Sequence, residues 1–271
     1  MRDQLKYEGK RVIVTGAASG IGAASAGLLA ELGAEVRALD AVEREGVEAC
    51  DLRDEAAIDA FVASVDGPVD ALFNCAGLPN TAPHQQILLV NFVGHRHLTE
   101  SLVPRMAPGS SIGFVSSVAG MDWVRRWTEV AGLLDTTGFD SARRWCEAHD
   151  ELLAPDGYGM SKIAINAYTA RRGFELAPDG IRVNATMPGP TATPMLTAFA
   201  EVLGEDFFDR FPKPIGRTSD PVEQAWSLAM LCSPRSSYVT ATTLLTDGGY
   251  SGGLVTGGID LQTLIAGTDP A

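Results

Sequence analysis

A doubly wound α/β fold, one parallel sheet with helices on both faces, is what this 271-residue sequence predicts. Three observations carry the prediction. Short β-rich runs alternate with longer helical patterns, a glycine-rich turn joins the first strand to the first helix, and no repeat or low-complexity linker divides the chain. Residues 1–271 therefore read as a single domain.

The elements follow in order. Arg11-Val-Ile-Val-Thr15 is a buried first strand, and Ala23 to Leu32 is an apolar-rich helix that Gly33 ends. Glu35 to Leu39 is the second strand and Val47 to Cys50 the third, followed by a helix over Glu55 to Val65. Ala71 to Asn74 is a fourth strand, Ile87 to Met106 a long helix, and Ser111 to Ser116 a fifth strand. A helix over Tyr158 to Glu175 is stopped by Pro178-Asp-Gly180. Ile181 to Met187 and Thr242 to Thr246 complete the sheet. Ahead of the Tyr158 helix, residues 121–156 hold two further helical patterns. In the first, Trp123 and Trp127 fall four apart on one face. In the second, Phe139, Ala142, Trp145, Cys146, His149, Leu152 and Leu153 fall near i, i+3, i+4, i+7 spacing, with Asp140 as candidate N-cap.

Composition narrows the function. A net charge of −13 and a pI near 4.7 argue against nucleic acid or an anionic membrane surface as partner. No apolar run reaches membrane-spanning length, and the start lacks the apolar stretch of a signal peptide. Cys50, Cys75, Cys146 and Cys232 are widely spaced, which suits reduced structural thiols in a cytoplasm. His95 and His97 point in different directions on a helix and make a poor metal pair, so no metal site is expected.

The turn Thr15-Gly-Ala-Ala-Ser-Gly-Ile-Gly22 is the first motif with chemistry. Glycines there permit a tight turn and close approach of a pyrophosphate, and the following helix points its free N–H groups at the phosphates. Between a first strand and a first helix this is a Rossmann-type dinucleotide signal, with Gly16, Ser19, Gly20, Ile21 and Gly22 as cofactor residues. A methyltransferase-type adenosyl site is the alternative on this motif alone. Asp40 ends the second strand, 24 residues after Gly16, where a carboxylate accepts from the adenosine ribose and repels a 2′-phosphate. Ser19 before Gly20 and Ala41 after Asp40 are not basic, so NAD is expected over NADP. Asp51-Leu52 is placed to flank the adenine, or Asp51 begins the next helix.

Tyr158-Gly-Met-Ser-Lys162 is the second. Four residues apart on a helix, the ammonium and the phenol share a face. A neighbouring cation favours the phenolate, which lowers the tyrosine pKa and makes a general acid/base for an alcohol oxygen.

Together these residues resemble the short-chain dehydrogenase/reductase family over roughly Lys10 to Gly249. The resemblance extends to Asn74-Cys-Ala-Gly77, Asn91, Phe114-Val-Ser-Ser117, Ile181-Arg-Val-Asn184, Met187-Pro-Gly-Pro-Thr-Ala-Thr193 and Asp247-Gly-Gly249. It implies Tyr158 as acid/base and Lys162 as the neighbour that lowers its pKa and holds the nicotinamide ribose. It implies Ser117 as the group positioning the substrate oxygen, and Asn91 as the anchor of a water relaying protons from Lys162. Asn74, Ala76, Gly77, Pro188, Gly189, Thr191 and Thr193 become cofactor contacts by the same resemblance, alongside Asp51, Leu52, Tyr158 and Lys162.

The chain departs from the family in two places. Ser117 and Tyr158 are 41 residues apart, and the span from Gly77 to Asn91 looks short. This most resembles the bacterial 3α-hydroxysteroid dehydrogenase/carbonyl reductase branch and related coniferyl-type alcohol dehydrogenases. The expectation is that the 121–156 insert roofs the substrate cleft for a bulky hydrophobic ring, or that it forms an oligomer contact. Met195 to Phe211, with Phe199, Phe207 and Phe208, is a second lid candidate, and the tail after Tyr250 folds over the site or packs on a neighbour. The reading is an NAD-dependent oxidoreductase for a hydrophobic secondary or aromatic alcohol, in a homodimer or homotetramer. A silent NAD-binding sensor and an epimerase or dehydratase are the rivals.

Overall fold

The computed structural model describes residues 4–204 and 209–260. Seven strands form one parallel sheet in the order β3-β2-β1-β4-β5-β6-β7. They are β1 Arg11–Thr15, β2 Glu35–Asp40, β3 Glu48–Ala49, β4 Ala71–Asn74, β5 Ser111–Val115, β6 Arg182–Pro188 and β7 Thr242–Thr246. The order reverses between β1 and β4, where Val12 pairs with Ala71 and Val14 with Phe73. A crevice opens at the carboxyl ends of the strands on either side of such a reversal.

Both faces of the sheet are covered, so the central strands β4 and β6 are buried along their whole length. Alternation sends Val12, Val14 and Phe73 to one face, against Leu28 and Leu29 of helix α1 (Gly20–Glu31) and Leu228 of the helix Pro221–Cys232. Ile13, Leu72 and Ile112 go to the other face. They meet Ile58 of α2 (Glu55–Ala63) and a run of helix over His84–Leu102, together with Ile163 and Ala167 of the helix that carries Tyr158.

Most boundaries shift by one or two residues from the sequence expectation, and three elements differ for a physical reason. Helix α1 begins at Gly20 rather than Ala23, because Gly-Ile-Gly continues straight from the turn into helical geometry before the apolar stripe starts. The third strand is two exposed residues, as a sheet edge with one neighbour holds it. The long helix is interrupted: α3 (His84–Leu88) passes into a π-helical turn, Leu89–Gly94, then α4 (His95–Leu102). A Cβ at Gly94 would lie 2.1 Å from the Leu52 carbonyl oxygen, so only glycine lets this turn sit against the loop after β3.

The insert folds as α5 (Trp127–Asp135), α6 (Phe139–Ala148) and the short α7 (Asp150–Leu153), ahead of α8 (Gly157–Glu175). Val130, Leu133, Phe139, Ala142, Cys146 and Leu153 join the same core as α8. Buried Arg96 fastens the α5–α6 turn by donating to the Leu133 carbonyl (2.9 Å), Thr136 Oγ1 (2.9 Å) and the Gly138 carbonyl (3.1 Å). Two expectations are corrected. Trp123 and Trp127 do not share a helical face, since Trp123 lies in a 3-10 turn over Val118–Val124 and Trp127 starts α5 after a bend at Arg126. The N-cap of α6 is Gly138, with φ of 75°, and not Asp140, whose carboxylate is drawn into ion pairs with Arg143 and Arg144.

A buried hydroxyl ties the crevice together. Thr15 Oγ1, at the end of β1, accepts from the Cys75 and Ala76 amides at 3.0 and 3.1 Å and lies 3.0 Å from His95 Nε2. With two donors already on that oxygen, Thr15 gives its proton to Nε2, and His95 Nδ1–H donates to the Asn91 carbonyl at 3.2 Å. His95 is buried neutral, its pKa pushed down to about 3 by desolvation, with the Asn91 carbonyl bond opposing. The unfolded chain takes up this proton near 6.5, and the folded chain only near 3. Stability from this group is therefore complete above pH 6.5 and is lost as pH falls through that window. At ~1.4 kcal/mol per unit the loss is a few kcal/mol. His95→Gln is expected to flatten the acid limb of denaturant midpoint against pH relative to wild type, and an unchanged limb would exclude the imidazole as its origin.

Candidate active site

The glycine turn sits where β1 and β4 part. Gly16 and Gly20 have φ of 68° and 56°, and a Cβ at Gly16 would lie 2.6 Å from the Ala76 Cα. A Cβ at Gly22 would lie 2.1 Å from the Gly16 carbonyl oxygen, so the turn closes only with glycine at these positions. Ser19 is the N-cap of α1 but makes no side-chain cap bond. The first-turn amides of α1 thus remain donors toward a cavity of about 540 Å³ lined by Ser19, Gly20, Ile21 and Gly22. This cradle fits the pyrophosphate of a dinucleotide.

At one end of the cavity stands Asp40, whose Oδ2 accepts from the Ala18 amide at 3.1 Å. Asp51 and Leu52 line the same end, as does Arg53, which holds Asp51 at 2.6 Å and keeps its carboxyl below the usual range. Asp51 does not begin the next helix; Asp54 caps α2 through the Ala56 amide. Ala76, Gly77, Pro188, Gly189, Thr191 and Thr193 line the cavity too. Asn74 does not: it is the buried last residue of β4 and donates to Thr99 Oγ1 at 3.2 Å.

At the other end three expected residues converge. Ser117 follows β5, and Tyr158 and Lys162 lie one turn apart on α8, all in the cavity wall. Of the paired serines, Ser117 interacts with the phenol, whereas buried Ser116 turns its hydroxyl to the Lys162 carbonyl at 3.3 Å. Lys162 Nζ donates to the Val115 carbonyl at 3.0 Å and lies 5.4 Å from the Tyr158 ring centre. Asp156 caps α8 by accepting from the Gly159 amide at 2.8 Å, fixing the turn that presents Tyr158.

Two expectations change here. Tyr158 is not lowered by Lys162. Removal from water pushes the phenol up to about 12, the Ser117 hydroxyl opposes this in part, and Asp156 adds to the rise. The same desolvation brings Lys162 down to about 8. The ammonium faces the Val115 carbonyl, so its charge does little for the phenol in this state. Asn91 lies outside the cavity wall, in the π-helical turn. Its side chain is closed on the Leu78 backbone (2.7 and 3.2 Å) and on Ser161 Oγ (3.1 Å), and its carbonyl takes the His95 proton. That makes Asn91 a brace between the turn after β4 and α8.

The helices of the insert do not roof the cleft: of residues 121–156, Asp156 alone among the described residues lines the cavity. Their apolar face is already spent against α4 and α8. The apolar wall comes instead from Leu78 and Val118 and from α9 (Pro194–Leu203), through Met195, Leu196 and Phe199, with Phe211 beyond. The Phe199 ring meets the Tyr158 ring edge-on at 4.9 Å. Phe207 and Phe208 lie outside the described residues. The helix Tyr250–Thr256 turns back to that flank, with the Tyr250 and Phe211 rings 4.6 Å apart.

Asp156, Asn80, Arg53 and Arg44 were not singled out by sequence reasoning. Arg44 reaches the glycine turn at the Ala18 carbonyl, 3.2 Å away, a cation that inspection of Ser19 and Ala41 alone could not find. Asp156 carried a signal, since an Asp immediately before a Gly-Tyr helix start is a good N-cap.

Comparison with known proteins agrees with this geometry. A family model described as short chain dehydrogenase matches residues 10–129, and one described as Enoyl-(Acyl carrier protein) reductase matches residues 146–251. Coniferyl-alcohol dehydrogenase of Pseudomonas sp. (strain HR199 / DSM 7063) is 30% identical over 253 residues, covering 91% of this chain and 98% of that protein. The 3-alpha-hydroxysteroid dehydrogenase/carbonyl reductase of Comamonas testosteroni is 30% identical over 246 residues, covering 88% and 95%. The crystal structure of 3-alpha-hydroxysteroid dehydrogenase from Pseudomonas sp. B-0831 complexed with NADH superposes with a TM-score of 0.78 at 28% identity, covering 93% of this chain and all of that one.

Proposed function

The chain belongs to the short-chain dehydrogenase/reductase family of oxidoreductases, and from that premise we propose that it interconverts a hydrophobic secondary or aromatic alcohol and its carbonyl with NAD. One observation carries the reading: Ser117, Tyr158 and Lys162 converge in the cavity that also holds the glycine cradle and Asp40. When bound, the dinucleotide would supply the hydride acceptor or donor. In the oxidation direction the Tyr158 phenolate takes the proton from the alcohol, and in the reduction direction the neutral phenol gives its proton to the carbonyl oxygen. Ser117 holds that oxygen and stabilises its developing charge. Lys162 sits below the phenol and is the donor available to the nicotinamide ribose. Asn91 keeps the cavity floor in register and leaves proton transfer to the other three.

The apolar wall of Leu78, Val118, Met195, Leu196 and Phe199 supports a ring-bearing substrate. A 3α-hydroxysteroid or a coniferyl-type alcohol is the substrate class that the two named relatives suggest. Asp40 at the end of β2 supports NAD over NADP, since a carboxylate at that strand end would repel a 2′-phosphate. The four free cysteines support a reducing cytoplasm, and no described helix is long and apolar enough to cross a membrane.

A homo-oligomer is part of the proposal. The helix Pro221–Cys232 buries Ala225, Leu228 and Ala229 but leaves Val222, Trp226 and Met230 about half exposed, one stripe at four-residue spacing. Such a stripe, on a helix that packs over α1, β5 and β6, supports a self-complementary contact between two copies.

Three measurements test these readings. Tyr158→Phe is expected to lower kcat by about 10²–10⁴-fold with NADH affinity retained, and undiminished turnover would remove the mechanism. Asp40→Ala is expected to lower the NAD to NADP ratio of kcat/KM by roughly tenfold, ~1.4 kcal/mol of discrimination. Trp226→Asp is expected to shift the light-scattering mass of the wild-type assembly toward the monomer; an unmoved mass would place the contact elsewhere.

A further inference from the structure

We propose that Asp156 makes the substrate end of the cavity select uncharged molecules over carboxylates. The inference rests on the dehydrogenase reading only in taking the Tyr158 end as the substrate end. Formal charges in the cavity wall fall into two groups among the described residues. Asp40, Asp51 and Arg53 stand at one end, Lys162 and Asp156 at the other.

The two charges near Tyr158 are not equivalent. Lys162 is buried, its Nζ donates to the Val115 carbonyl at 3.0 Å, and the Tyr158 ring lies over it at 5.4 Å. Asp156 is exposed at the wall. Its Oδ1 accepts from the Gly159 amide at 2.8 Å, while Oδ2 accepts from no described residue. Arg126 feels the Asp156 charge but is itself paired with Glu129 at 2.8 Å. An entering ring substrate therefore meets apolar side chains and one carboxylate that has no ion pair among the described residues. A second negative charge on that substrate is repelled within a partly desolvated space, where Coulomb energies exceed their value in bulk water. A neutral ring meets no such cost.

The position is fixed by backbone, since capping α8 places the carboxylate two residues before the phenol. Asparagine preserves the cap and removes the charge, so Asp156→Asn isolates the electrostatic part. The test is binding of 4-methylbenzyl alcohol and 4-(hydroxymethyl)benzoate, which differ in the charge at one end. Calorimetry with and without saturating NADH would be run on wild type and Asp156→Asn, with thermal unfolding confirming that both are folded. Wild type is expected to favour the neutral alcohol, and the ratio of the two affinities should fall by about three- to tenfold in the variant. Because hydrophobicity contributes equally to both proteins, the change in ratio reports the charge alone. An unchanged ratio, or binding of neither compound, overturns the proposal. Turnover of the same alcohols separates it from the dehydrogenase reading. A ratio that shifts without turnover removes only that reading, and turnover with an unchanged ratio removes only the role of Asp156.

Discussion

The Thr15 hydroxyl is the point on which the crevice depends. It is held where the sheet order reverses, taking two backbone protons from the turn after β4 and giving its own to His95. Through His95 it reaches the Asn91 carbonyl, and through the Asn91 side chain it reaches Leu78 and α8. One oxygen thereby registers four segments: the end of β1, the Cys75–Ala76 backbone, the π-helical turn and the helix of Tyr158. The glycine turn can be open to a ligand because this hydroxyl, rather than a side chain in the turn, holds its strand in place.

Partial burial of Tyr158 and full burial of Lys162 set the chemistry of the opposite end. A single cause, removal from water, raises the Tyr158 phenol and lowers the Lys162 ammonium, so the two neutral forms are favoured together. Lys162 is directed at the Val115 carbonyl and leaves the phenol protonated in this state. Such a site is poised for charge to arrive with its ligands, and Asp156 at the wall resists arrivals of the wrong sign.

Division of labour between sheet faces explains where the extra residues went. Lengthening the chain between Ser117 and Tyr158 added apolar surface, and α8 with α4 offered an apolar surface to cover. Arg96 locks that choice by satisfying three acceptors in the α5–α6 turn. Cleft walls were left to α9, which faces Tyr158 through Phe199.

Much of this was legible in the sequence because the signals are local. The first strand, the glycine turn and the Tyr158–Lys162 spacing are read from neighbours within a few residues, and β1 and β4 lie where the pattern puts them. The helical nature of the insert was legible for the same reason, although the Arg126 bend and the Gly138 cap were not. What only the tertiary structure decided depends on groups far apart in the chain. Desolvation by distant segments reversed the expected shift of Tyr158, and hydrogen bonds across 13 and 70 residues make Asn91 a brace. The insert went to the core and not the cleft because periodicity shows that a helix has an apolar face. Which surface that face covers is set by what else in the fold remains uncovered.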